Sequence, residues 1–307
     1  MLKYIIIILF SLQIYNISAN SQELRISVNN EQFISLSSYF VTVMPGGTIM
    51  LNIEIHNVND LVITTNYGDI KDKGNGNWKF IAPKQPGNYS IEIKDRMTRE
   101  QILLNVFVLT PLSKSKGGYL NGYRIGNYPD ENYKGMNNYA KPKGLIEVTE
   151  KNKDLFITPH FQLKQFLCKQ ESGWPKYVLV NPVLLVKLEH LIDGLVEKGL
   201  DVSTLFIMSG YRTPYYNKAI GNVKYSRHIY GDAADIYVDE NLDGVIDDLD
   251  GNEIRNMLDA MVIHEVLSDL ENNPENEHLI GGIGKYKKNS AHTYFIHVDT
   301  RGYKARW

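Results

Sequence analysis

The sequence predicts two folded units: an N-terminal all-β sandwich over residues 24–110 and a C-terminal α+β domain with a mostly antiparallel sheet over residues 156–307. Three observations carry this reading. Residues 24–109 are short alternating runs broken by turn signals, the hydrophobic period lengthens after Phe156, and the strand-like runs beyond that point follow no repeating βαβ order. With 307 residues, 43% hydrophobic and 22% charged, the chain can bury cores for both units.

At the N-terminus, Lys3 precedes an apolar run from Tyr4 to about Leu12, and Ile17-Ser18-Ala19 offers small residues for cleavage. Residues 1–19 therefore read as a secretory signal. The run is shorter than the roughly 20 residues that span a bilayer, so the reading is export to the periplasm or cell surface, with no stable membrane anchor after cleavage.

Turn signals then recur at Met44-Pro45-Gly46-Gly47, Asn66-Tyr67-Gly68-Asp69, Gly74-Asn75-Gly76-Asn77 and Gln85-Pro86-Gly87-Asn88, the spacing of a small antiparallel sandwich. The segment from Trp78 to Pro83, followed by Pro86 to Ile93, resembles the late strands of bacterial immunoglobulin-like domains. That resemblance implies an Ig-like sandwich. Residues 111–155 read as a linker, because Lys114 to Gly144 is rich in Gly, Tyr and Asn and has little periodicity. Its tyrosines Tyr119, Tyr123, Tyr128, Tyr133 and Tyr139 suit a tether poorly, so the linker is expected to pack on the second domain.

In that domain Leu184, Leu185, Leu188, Leu191, Ile192, Leu195 and Val196 share one face of a helix ending near Gly199. A second helix is expected from about Glu253 to Leu270, with Ile254, Met257, Leu258, Met261 and Val262 as its stripe. Strand-like runs cover 205–208, 234–238 and 294–298.

Composition removes several function classes. Thirty-three Lys and Arg against 35 Asp and Glu give a net charge of −2 and no field to hold a nucleic acid. A single cysteine, Cys168, leaves any metal to histidines and carboxylates. It reads as a small core residue.

The densest chemical cluster is Ser226-Arg227-His228-Ile229-Tyr230-Gly231-Asp232-Ala233-Ala234-Asp235. A turn at Gly231 can bring His228 back toward Asp235, as a metal-ligand pair or as a hydrogen-bonded structural pair. On the last strand, alternation puts Phe295, His297 and Asp299 on one face. Two histidines and one aspartate make three ligands with a fourth position open, the arrangement of a catalytic zinc.

These residues resemble the zinc D-alanyl-D-alanine carboxypeptidases and related peptidoglycan endopeptidases, whose motif is Ser-x-His-x-x-Gly-x-Ala-x-Asp with a late His. Ser226, His228, Gly231, Ala233 and Asp235 match it position by position. Ser209-Gly210-Tyr211-Arg212-Thr213-Pro214 looks like the family's arginine segment, and Phe295 to Asp299 with Ala305-Arg306-Trp307 looks like one exported branch of it. The resemblance spans roughly residues 156–307 and implies a hedgehog-type zinc peptidase fold. It also implies Zn²⁺ held by His228, Asp235 and His297, Arg212 holding the substrate carboxylate or the oxyanion, and Ser226 as a hydrogen-bonding substrate-side residue. Where relatives carry a basic Glu or His shortly before the last His, this chain has Tyr294 and Phe295. Asp299 is then the first candidate for the base, with orienting a ligand histidine as its alternative role, and His292 is the second candidate.

Residues 239–250 reproduce an EF-hand loop pattern, with Asp239, Asn241, Asp243, Val245, Asp247 and Asp250 as the expected Ca²⁺ ligands; position 12 is Asp where Glu is usual. His56, His160, His190, His264 and His278 have no partners at useful spacing. The reading is an exported zinc peptidase acting on peptidoglycan peptides. Its rivals are a zinc-bearing wall-binding module without turnover and a surface scaffold carried by the β domain.

Overall fold

The computed structural model describes residues 24–307, and the predicted signal at 1–19 lies outside them. Eight strands open the fold: β1 (Arg25–Val28), β2 (Ser38–Val43), β3 (Thr48–Glu54), β4 (Leu61–Thr65), β5 (Asp69–Gly74), β6 (Asn77–Ile81), β7 (Gly87–Asp95) and β8 (Gln101–Val108). They form two four-stranded sheets, ordered β1-β3-β6-β5 and β2-β8-β7-β4. Neighbours are antiparallel except β2 and β8, which run parallel. Alternation decides which side chains go inward. Ile49, Leu51 and Ile53 of β3 are buried, and they share one core with Ile91, Ile93, Leu104 and Val106 of the other sheet. Between β5 and β6, Asn75 and Gly76 have φ of 54° and 73°, the left-handed pair that a tight hairpin demands.

Residues 111–155 do more than link. Strand β12 (Gly144–Val148) sits between β9 (Thr110–Pro111) and β15 (Lys176–Val178), so the segment supplies the middle of a three-stranded sheet. Before it comes a small hairpin of β10 (Tyr119–Leu120) and β11 (Tyr123–Arg124). Tyr123, Tyr128 and Tyr139 are buried, while Tyr119 stays exposed. The hydroxyls of Tyr128 and Tyr211 lie 2.7 Å apart, which ties this segment to the C-terminal core.

A second hairpin, β13 (Phe156–Thr158) and β14 (Phe161–Gln162), touches the sandwich: the Phe156 carbonyl accepts from Asn105 Nδ2 at 3.0 Å and Ser38 Oγ at 3.2 Å. Phe40 and Phe107 of the sandwich extend into the C-terminal core. The main sheet there has five strands in the order β16 (Phe206–Ser209), β17 (Ala233–Tyr237), β19 (Phe295–Asp299), β18 (Gly282–Tyr286) and β20 (Ala305–Arg306), antiparallel except at β18–β20.

Two long helices pack beside it. Helix α1 (Pro182–Glu197) starts where Asn181 caps the Val183 N–H and Pro182 occupies the first turn, and it ends before Gly199 at φ 87°. A short α2 (Pro214–Ala219) follows β16. Helix α3 (Met257–Asn272) begins later than the expected Glu253, because Asn256 and Asp259 form a reciprocal cap there and Ile254 stays exposed. Gly194 lets α1 approach α3 closely; a Cβ there would meet Val266 at 2.6 Å. Lys187 of α1 is fully buried and donates to Glu271 of α3 at 2.5 Å and to the Asp299 carbonyl at 3.0 Å, so both helices hold the end of β19. Among the described residues no helix is long and apolar enough to cross a membrane.

Candidate metal centre

The pairing of β17 with β19 puts Asp235 directly opposite His297. His228 lies in a short 3₁₀ helix, Arg227–Tyr230, which turns into β17 through Gly231 at φ 72°. A side chain at Gly231 would overlap the Leu179 carbonyl, so both the handedness and the space of this turn call for glycine. The result is convergence: His228 Nε2 is 3.2 Å and His297 Nδ1 2.9 Å from the same oxygen, Asp235 Oδ1.

All three residues are buried, and their donor atoms lie within 4.8 Å of one another. Four tetrahedral ligands at about 2.0 Å from a zinc ion stand roughly 3.3 Å apart. The spacing and the donor set fit that ion. The outer contacts also select the right atoms. His228 Nδ1 donates to the Gly210 carbonyl at 2.7 Å, which leaves Nε2 with its lone pair, and His297 Nε2 faces Asp299 Oδ2 at 3.1 Å, which leaves Nδ1. Arg212 donates to Asp235 Oδ2 at 2.6 Å and to Ser209 Oγ at 2.8 Å, so Oδ1 alone turns toward the histidines.

Electrostatics follow this geometry. Burial lowers the pKa of His228 and favours the neutral ring that a metal needs. Burial opposes ionisation of Asp235, but the adjacent imidazoles outweigh it and hold the carboxyl well below its ordinary value. His297 also loses solvent, yet its bonds to Asp235 and Asp299 push it up to about 9.

A cleft of about 400 Å³ opens over the three donors. Arg212, Ser226 and His292 all line it. The Ser226 N–H donates to the Val223 carbonyl at 3.2 Å, at the start of the His228 turn. The His292 ring meets Phe295 edge-on at 4.8 Å; its Nε2 accepts from Asn289 Nδ2 at 2.7 Å and its Nδ1 donates to the Thr293 carbonyl at 2.8 Å. Asp299 is placed differently. It is fully buried behind His297, on the side away from Asp235, and its carboxylate accepts from the Gly282 N–H at 2.8 Å and from the Arg301 guanidinium. That position gives it the imidazole and no part of the cleft wall.

An aromatic wall to which the sequence motifs do not point completes the site. Trp307 packs 5.2 Å from the His297 ring and donates from Nε1 to Tyr286 at 2.8 Å, and Tyr286 stacks on Phe295 at 4.6 Å. Gly284 on β18 makes the room, since a Cβ there would overlap the indole. Tyr139 and Tyr225, which meet edge-on, also line the cleft. Trp307 was visible in the sequence beside Ala305 and Arg306, but nothing local connects Tyr139 to a site so far along the chain.

The acidic loop does not support calcium. Its side chains bond within the loop itself. Asp239 accepts from the Asp243 and Gly244 N–H groups, Asn241 from Asp243, Asp243 from Val245, and Asp247 from Glu240. Asp250 accepts from Asn252. Arg255 supplies the positive charge, bonding Asp243 and lying 3.6 Å from Asp247. Among the described residues the acidic group that does converge is Asp248, Asp250 and Asp259, which takes only one member from the expected six.

A family model described as Peptidase M15 matches residues 159–267, a span that contains Arg212, Ser226, His228 and Asp235 and stops short of His297. The match and the His-Asp-His group together support a zinc-dependent hydrolase with a peptide substrate. No curated protein and no solved structure matches the chain.

Proposed function

We propose that the chain is an exported zinc metallopeptidase that hydrolyses an amide bond next to a D-amino acid in peptidoglycan peptides, as a carboxypeptidase or an endopeptidase. One observation supports it most: two imidazole nitrogens and a carboxylate oxygen meet at the floor of an open cleft, each with its other atom already bonded to the protein. When bound, the zinc ion supplies Lewis acidity that polarises a carbonyl and acidifies a water. The chain's own residues do the rest. Arg212 holds Asp235 and presents a cation to negative charge on the substrate, and Ser226 steadies the turn that carries His228. Asp299 positions His297. His292 lines the same cleft and takes the proton-carrying role when its Nε2 releases the Asn289 amide.

A second reading is a zinc-bearing wall-binding module without turnover. It is favoured by the cleft wall, where Asp235 is the one carboxylate among the described residues. Incubating the purified protein with muropeptides, with and without chelator, separates the two by mass spectrometry: release of D-Ala or split crosslinks that stops with chelator supports the peptidase, and retained metal without cleavage supports the binding module. The Ig-like reading of the sandwich is part of the same proposal. Its support is the strand order, which reads as A-B-E-D on one sheet and C-F-G on the other with β2 added parallel to the last strand. Such a domain would space the catalytic domain from its attachment or partner.

A further inference from the structure

Three arginines line the metal cleft, Arg212, Arg227 and Arg301, and each spends Nε and Nη2 on the protein. Among the described residues the third nitrogen, Nη1, has no acceptor in any of them. In Arg227 it is sealed from solvent, and that side chain is only 3% exposed. In Arg212 and Arg301, whose side chains are 11% and 16% exposed, it is not sealed, so each keeps one donor free. The two differ in their distance from the metal ligands. Arg212 bonds the ligand Asp235 directly, at 2.6 Å. Arg301 stands one side chain farther out, on Asp299, which faces His297 Nε2 at 3.1 Å. Arg301 is also fixed in place. Its Nε lies 2.9 and 3.0 Å from the two Asp299 oxygens, and its Cζ is 5.3 Å from the Trp307 ring and 5.7 Å from that of Tyr303. Gly282 leaves the room for it, since a Cβ there would meet Nη2 at 2.9 Å. A guanidinium held this way with one donor open is preorganised to take a carboxylate.

We infer that Arg301 anchors a substrate carboxylate, and that the substrate is an amide whose leaving nitrogen sits on the carbon bearing that carboxylate. Such a substrate presents two negative charges in line: the oxyanion that develops on the scissile carbonyl, and the fixed carboxylate beyond the leaving nitrogen. Arg212, against a metal ligand, meets the first, and Arg301, one side chain out, meets the second. A D-Ala-D-Ala end carries this carboxylate. Its C-terminal amide does not, nor does a crosslink made through a side-chain amine on an unsubstituted carbon. The assignment rests on the peptidase reading for the scissile bond, and on the free guanidinium nitrogen for the carboxylate.

The test compares two peptides on the zinc-loaded whole chain, diacetyl-L-Lys-D-Ala-D-Ala and its C-terminal amide. Cleavage is followed by mass spectrometry, and binding by calorimetric titration where there is no turnover. The free acid is expected to be favoured at least about tenfold, the worth of one charge-assisted hydrogen bond. Arg301→Lys keeps a cation for Asp299 but has no planar fork with a donor to spare, and it should bring the two peptides to within about twofold of each other. Arg212→Lys should slow both alike and keep the preference. If Arg301 serves only to hold Asp299, Arg301→Lys lowers both peptides together and the ratio stays as in the unaltered chain. That result overturns the anchor, as does equal treatment of the two peptides by the unaltered chain, or a preference lost in Arg212→Lys instead. A preference in binding without any cleavage keeps the anchor and removes the peptidase; cleavage without the preference does the reverse, and binding of neither peptide removes both.

Discussion

Two segments of this chain carry metal-ligand patterns, and they fold in opposite ways. His228, Asp235 and His297 come from a turn and two strands, are buried, and present three donors toward one point. The acidic residues of 239–250 are neighbours along the chain, half of them exposed, and their oxygens turn to nearby backbone N–H groups and to Arg255. In the first case strand register and a fixed glycine turn leave the donors no local alternative. A local acidic loop can satisfy itself with Asx-type bonds, so spacing alone says less about a metal there. Donors gathered by long-range pairing are held before any ion arrives.

Asp235→Ala tests that contrast with the largest expected effect. It should reduce bound zinc and peptide cleavage by at least about a hundredfold, while Asp243→Ala leaves zinc content unchanged; metal analysis of both purified variants decides it. Next comes Asp299→Asn, expected to weaken zinc binding and activity by about 10–100-fold, the usual cost of losing the partner of a ligand histidine. Full zinc content with abolished kcat would instead make Asp299 the base. The two glycine turns give a third comparison. Gly231→Ala must place a Cβ on the Leu179 carbonyl and should cost more than the roughly 1–2 kcal/mol of left-handed strain alone, whereas Gly244→Ala, with open space around it, should cost no more than that. Urea unfolding of both measures the difference. Smallest is Arg255→Ala, which should lower the melting temperature slightly and leave cleavage intact, because this exposed cation serves the loop and not the cleft.

Much of the architecture is legible in the sequence. Alternation in β3 and β7, the Asn75-Gly76 hairpin and the apolar stripe of α1 are local patterns, and local patterns survive folding when one face must be buried. The start of α3 was misplaced because Ile254 fits the stripe by count while the cap at Asn256 decides where the helix begins. Residues 111–155 looked like a linker because a two-sided pairing such as that of β12 leaves no mark in its own five residues.

The amino-acid order by itself determined the identities and the approximate elements of the three donors: a His-Gly-Asp turn into a strand, and a histidine on the last strand with Asp299 on its face. Only the tertiary structure decided which ring nitrogen each histidine presents, that Asp299 stands behind His297 instead of in the cleft, that Tyr139 and Trp307 wall the site, and that the acidic loop closes on Arg255. The physical reason is range. Side-chain periodicity and turn chemistry act over a few residues, whereas a donor's free lone pair depends on which distant carbonyl or carboxylate occupies the other one, and that is settled by strand register and packing.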